Sequence, residues 1–352
     1  MANKKTRRRF EEHPTIPFSE WDLPAASDDP QAIDTFAARQ SADTNVHATL
    51  RESASVSELD DPRPTSGETD PSHQLLYYIS LGSGSSGNCY YVGSQRGGIL
   101  VDAGVKPDFV ESSLAANGIS MKMVKALLLT HDHSDHVRYA YSILRTYKHI
   151  RLFCTNRVIN GILRRTSISK RIREYHNAIF KEIPFKIADF EITAFEVPHD
   201  SVDSMGFSIA FDGRNFVIAT DLGEIQSRAA HYIGHAHYLV IEANYDLDML
   251  RFGPYPAYLK ARIQTEKGHL DNMYTSNYLR ENFPAGLSHI FLCHLSKENN
   301  TPDKAFKAVC EGLTARGLKV GRGEETLSDR AADVQLTVLP RFEATRLYVF
   351  RP

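Results

Sequence analysis

Residues 127–137 read LLLTHDHSDHV, an apolar run that breaks off into four potential metal ligands within six residues. The stretch VKALLLT (124–130) predicts a buried strand, so His131, His133, Asp135 and His136 stand on a tight loop at its end. Neutral imidazoles and a carboxylate are good ligands for zinc and similar divalent ions. On such a loop alternate side chains converge. His131 and His133 can reach one ion while Asp135 and His136 reach a neighbour. The alternative is a polar loop with chance histidines. With 15 His in 352 residues, three in this arrangement argue against it.

The rest of the chain predicts what such a strand pairs with. LLYYISL, NCYYVG and GGILVDAG are short β-branched and aromatic runs separated by Gly and Ser, and read as strands. FEITAFEV, MGFSIAF and RNFVIAT read as three more, with Asp212-Gly213 as a hairpin turn between the last two. HYLVIEA (237–243) and HIFLCH (289–294) follow. Helical patterns cover 107–117, 137–147, 271–282 and 302–314. VQLTVLP and ATRLYVF close the chain as an expected hairpin. Strands dominate the first half and alternate with helices later, which predicts an α/β protein with sheets inside and helices outside.

Residues 1–72 differ from the rest. They hold 8 basic and 14 acidic residues with no sustained period. Such a segment buries too little apolar surface to offset the entropy of ordering. We read it as a disordered acidic tail, with the folded domain at 73–352. IPFSEWDL (16–23) carries the only Trp, Trp21, and is either a docking motif for a protein partner or an apolar patch in the tail. No run approaches a membrane span, and the basic cluster at the N-terminus has no apolar run behind it. Four scattered cysteines without a CxxC pair argue against a disulfide framework. The cytoplasm is the expected compartment.

THDHSDH matches the HxHxDH signature of the metallo-β-lactamase fold superfamily. Together with SLGSGSSGNCYYV (80–92), ILVDAG (99–104) and CHLSKENNTP (293–302), the sequence resembles the YycJ/WalJ group, single-domain metallohydrolases related to RNase Z and PhnP. The resemblance runs from residue 75 to about 315 and implies a four-layer αβ/βα sandwich. It also implies two divalent ions, zinc or manganese, that share a bridging hydroxide as the nucleophile.

Carried over residue by residue, the resemblance makes His199 of VPHDS the third histidine of one metal. Asp221 of ATDLG becomes the bridging carboxylate, and His294 of CHLSKENN the last histidine on the other metal. Asp135 serves in catalysis as well as ligation. His269 of GHLDN contacts the scissile phosphate or helps the leaving group, and could exchange roles with His294. The group's usual pattern there is GHLSN, so Asp271 either alters phosphate contact or adds a carboxylate near the metals. Ser86 and Asn88 could bond substrate or a metal-bound water, or merely form a turn. Asp102 is expected to orient a metal-binding histidine, and Glu242 is a further candidate for such a role. His231, His235 and His237 read as surface or packing residues.

Residues 145–186 carry eleven Lys and Arg against Glu174 and Glu182. That density would attract a phosphate backbone, with Tyr147 and Tyr175 available for stacking, unless it is simply a solvated helix face. The expected activity is hydrolysis of nucleic-acid phosphodiesters, with DNA preferred and RNA possible. The resemblance implies 5′-to-3′ exonuclease action. The alternatives are a hydrolase of a cyclic phosphodiester, thioester or lactone, and a non-catalytic binding module, which the intact ligand set argues against.

Overall fold

The computed structural model describes residues 75–165, 167–323, 329 and 331–352. The tail read over 1–72, its Trp21 motif and the boundary at 72/73 lie outside the described residues.

Two sheets pack face to face. The first contains β1 (Leu76–Gly82), β2 (Cys89–Ser94), β3 (Gly97–Val101), β4 (Val124–Leu128), β5 (Arg151–Cys154) and β6 (His176–Ala178) in sequential order. The second contains β7 (Phe185–Ile187), β8 (Phe190–Glu196), β9 (Met205–Phe211), β10 (Arg214–Ala219), β11 (Tyr238–Glu242), β12 (His289–Cys293), β13 (Val320–Gly321) and β14 (Val334–Val338), and runs in the order 13-14-12-11-10-9-8-7. β15 (Tyr348–Phe350) completes the first sheet as the outer neighbour of β1.

Both sheets are mixed. Hairpins build β1–β3 and β7–β10, and parallel pairs join β3 through β6 and β10 through β12. The β9–β10 turn uses Asp212 and Gly213, both at positive φ (49° and 72°), as a right-twisted two-residue hairpin requires. β2, β3 and β11 are buried along their whole length, because each has a sheet neighbour on both sides and packing on both faces.

Nine helices complete the described fold: α1 (Pro107–Ala116), α2 (Ser134–Val137), α3 (Ala140–Thr146), α4 (Asn156–Arg164), α5 (Ser227–Ile233), α6 (Leu247–Phe252), α7 (Ala257–Ile263), α8 (Asn272–Glu281) and α9 (Pro302–Ala315). One apolar core fills the space between the sheets, around Tyr78, Tyr90, Phe207, Phe216 and Phe291, and extends beneath α1, α3 and α4. A second lies between the second sheet and α5, α8 and α9. The architecture is the helix–sheet–sheet–helix sandwich the sequence implies.

Two expectations need correction. The helix read over 137–147 is shortened to α3 (Ala140–Thr146): Val137 ends the short α2, and the Tyr139 amide donates to Ala103 O (2.9 Å). The closing strands are not a hairpin. β14 pairs parallel with β12, while β15 pairs antiparallel with β1 in the other sheet. Residues 339–347 therefore cross between the sheets. Periodicity identifies strands but not the sheet that accepts them.

Candidate metal centre

Three residues at strand ends share one backbone conformation. Asp102 follows β3, Asp221 lies two residues past β10, and His294 follows β12, all in the left-handed region (φ 64°, 56° and 54°). That conformation costs a non-glycine residue roughly 1–2 kcal/mol. It persists here because each side chain is committed to the same cluster. The loop after β4 supplies the rest of the motif.

His131, His133 and His199 converge. Their ring centroids lie 4.6 Å (131–133), 5.0 Å (133–199) and 5.1 Å (131–199) apart. His199 Nδ1 meets the carbonyl of Gly268 at 3.1 Å, and as its donor leaves Nε2 with a lone pair 3.3 Å from His133 Nδ1. Burial lowers the His199 pKa to about 4 and holds His131 well below its ordinary value, so both rings are neutral near pH 7. His131 Nε2 is buried with no hydrogen-bond partner.

Asp135, His136 and His294 form a second group. Asp135 Oδ2 lies 3.4 Å from His294 Nε2 and 3.6 Å from His136 Nε2. Asp221 stands between the groups, with Oδ2 3.2 Å from His136 Nε2 and Oδ1 3.9 Å from His199 Nε2. Burial disfavours charge on all of these side chains, but their proximity overrides it. His136 and His294 hold Asp135 down to about 2, and Asp221 with its carboxylate neighbours raises His294 to about 10.

The donor chemistry fits divalent cations. Each of the sets His131/His133/His199, Asp135/His136/His294 and His131/His136/Asp221 offers one ligand atom per residue within 4.8 Å of one another. His131 Nε2 is orphaned, and the facing nitrogens of His133 and His199 lie 3.3 Å apart beside it. Buried donors of that kind want a cation.

The rings are fixed from behind. Asp102, fully buried, stands 2.7 Å from His136 Nδ1 and accepts from the Thr130 amide at 2.9 Å. The Thr130 hydroxyl bridges Asp102 and His131 Nδ1, 3.0 Å from each. One carboxylate thereby orients two histidines, one of them through a threonine.

Glu242 does the same on the other side. Its Oε1 lies 2.7 Å from His269 Nδ1 and 3.0 Å from His294 Nδ1, while Oε2 accepts from the amides of Leu222 (3.0 Å) and Leu270 (3.3 Å). His269 stacks on His294 at 5.3 Å between centroids and stays half-buried at the edge of the cluster.

Asn88 enters the site. Its Nδ2 lies 2.9 Å from His136 Nε2, and its backbone amide donates to Asp135 O at 2.8 Å. Ser86 is half-buried in the same loop, but the serine that meets a site residue is Ser83, whose hydroxyl accepts from the His294 amide at 2.9 Å. Sequence reasoning missed Ser83, Thr130 and Asn244, whose side-chain amide donates to His294 O at 2.7 Å. The signal for Glu242 was a charge inside an otherwise apolar, fully buried strand.

Asp271 adds no carboxylate to the cluster. It caps α8, accepting from the amides of Met273 (2.8 Å) and Tyr274 (2.9 Å), a role that serine fills equally well. His231 of α5 packs on His235 just past the end of that helix, and His237 Nδ1 accepts from the Asn215 amide. The basic stretch starts beside the motif loop. Arg165 lies 3.7 Å from Asp132, and Gly161 of α4 is so close that a Cβ there would sit 2.4 Å from Asp132 Oδ2.

A paired-sheet sandwich with this histidine–carboxylate cluster at its strand ends defines a metal-dependent hydrolase of the metallo-β-lactamase fold. A family model described as "Beta-lactamase superfamily domain" matches residues 98–281. The chain is 30% identical over 251 residues to the exodeoxyribonuclease YycJ of Bacillus anthracis, covering 71% of this chain and 94% of that one. It is 32% identical over 245 residues to the exodeoxyribonuclease WalJ of Streptococcus pneumoniae, covering 69% and 90%. The metallo-β-lactamase fold protein YhfI from Bacillus subtilis superposes with a TM-score of 0.55 at 14% identity, over 79% of this chain and all of that one. The chain belongs to the YycJ/WalJ family.

Proposed function

We propose that the protein is a dinuclear metal-dependent exonuclease acting on DNA, in the 5′-to-3′ direction that the family resemblance implies. The observation that carries the reading is the pair of triads, His131/His133/His199 and Asp135/His136/His294, with Asp221 between them. His131, His133 and His199 would hold one divalent ion, zinc or manganese. Asp135, His136 and His294 would hold the other, with Asp221 shared. Bound ions of this kind lower the pKa of water and neutralise phosphoryl oxygens.

The chain's own residues do the rest. Asp102, Gly268 O and Glu242 fix the tautomers of His136, His199 and His294, so their remaining nitrogens face inward. His269, whose pKa Glu242 raises against the effect of burial, would bond a phosphoryl oxygen or deliver a proton to the leaving oxygen. Asn88 orients Asp135 through its backbone amide. Arg157 and Arg164 are exposed on α4, whose Gly161 packs against Asp132 of the motif loop, and with exposed Lys170 and Arg173 in the segment that follows they favour a polyanion over a small neutral substrate.

The test is cleavage of 5′- and 3′-labelled DNA and RNA, single- and double-stranded, at two salt concentrations. Release of mononucleotides from 5′ ends of DNA, weakened by salt, is the expected result. Cleavage only of cyclic phosphodiesters, thioesters or lactones would replace this reading with a small-molecule hydrolase.

A further inference from the structure

We propose that Phe342 is a stacking platform for a nucleobase, and Arg341 beside it a phosphate clamp, for the strand being cleaved. The inference rests on the nucleic-acid reading above. Both residues lie on the crossing segment 339–347, which nothing in the catalytic account uses.

That segment is tied down at both ends on the metal side of the sandwich. The Leu339 amide donates to Leu292 O (2.9 Å), two residues before His294. The Thr345 amide donates to Ser80 O (2.8 Å), and the Ser80 amide returns a bond to the Thr345 hydroxyl (3.0 Å). Between these anchors, Arg341 joins two loops that line the site. Its Nη1 donates to Ser85 Oγ (3.2 Å), three residues before Asn88, and its Nη2 donates to the carbonyl of Leu295, the residue after His294. Gly84 leaves the space for it, since a Cβ there would sit 2.8 Å from Nη1. A guanidinium has five N–H donors arranged as a fork for phosphate oxygens, and these two contacts leave donors to spare.

Phe342 follows directly. Its side chain is 65% exposed, and the Arg341 guanidinium carbon lies 5.9 Å from its ring centroid. An exposed aromatic next to a cation is the pairing that single-stranded nucleic acid uses, one for the base and one for the backbone. One exposed ring among Arg341, Glu343 and Arg346, with Glu298 also near Arg341, is too small and too charged a surface for a protein partner.

The experiment compares kcat and KM of the full chain on single-stranded DNA with a normal or an abasic terminal nucleotide. Phe342→Ala should raise KM about tenfold on the normal end with kcat little changed, and Phe342→Trp should restore it. On the abasic end the wild-type KM should already be raised, and Phe342→Ala should add nothing. Arg341→Ala should lower the slope of log affinity against log salt by about one, which a merely structural arginine would not do. An equal effect of Phe342→Ala on both ends, or no effect on either, overturns the inference while leaving the nuclease intact. Absence of any nucleic-acid cleavage by the wild type removes the proposed function itself and this inference with it.

Discussion

Glu242 Oε1 stands 2.7 Å from His269 Nδ1, with the carboxylate fully buried and the imidazole at the edge of the metal cluster. The other oxygen of Glu242 is filled by two backbone amides. All four contacts need an acceptor, so a glutamine cannot satisfy both sides at once. Glu242→Gln should cost about 10–100-fold in metal affinity or activity. Metal titration of the folded variant checks this, and a change within twofold would argue against Glu242 as the common support of His269 and His294.

Asp102 separates charge from conformation. Asparagine tolerates its left-handed backbone, whereas alanine does not. Asp102→Asn should therefore weaken metal binding about 10–100-fold and cost less stability than alanine, since it keeps one acceptor and the backbone conformation. Asp102→Ala should lose metal binding and also unfold more easily, because Thr130 and His136 lose their acceptor. Thermal unfolding with and without added metal distinguishes the two.

Gly104 is where the motif loop meets the glycine-rich loop. A Cβ there would lie 1.6 Å from Asp135 O and 2.6 Å from Asn88 N, both backbone atoms that cannot rotate away. Gly104→Ala should destabilise by about 1–3 kcal/mol or more and displace Asp135. Denaturant unfolding measures the first effect and metal stoichiometry the second.

At the opposite end of β12, burial lowers the His289 pKa to about 4 from an ordinary 6.5. The unfolded chain takes up this proton first as pH falls. The contribution to stability is therefore complete above about pH 6.5 and is lost progressively toward pH 4. His289→Phe removes the titration, so the variant's stability relative to wild type should rise as pH falls from 7.5 to 5. Parallel urea midpoints across that range would count against a neutral, half-buried His289.

The elements legible in the sequence were those with a local cause. The apolar run ending in THDHSDH located His131, His133, Asp135 and His136, whereas His199, Asp221 and His294 came from the family resemblance; the helix patterns around Pro107 and Pro302 matched α1 and α9 nearly to the residue. What stayed hidden depends on contacts distant in sequence. The pairing of β15 with β1 joins residues more than 260 positions apart. The bond from Ser83 to His294 is of the same kind, and no local pattern announces it. Asp271 was legible as a departure but not as a cap, because its meaning depends on where α8 begins.

The central claim is that two divalent ions in this cluster drive phosphodiester cleavage. The most direct measurement is DNA cleavage against bound metal per chain, starting from chelator-stripped protein, for wild type, His131→Ala and Asp135→Ala. The account predicts no activity without metal, a rise that completes near two ions per chain, and loss of activity in both variants. Full cleavage by metal-free protein, or undiminished cleavage by either variant, would contradict it.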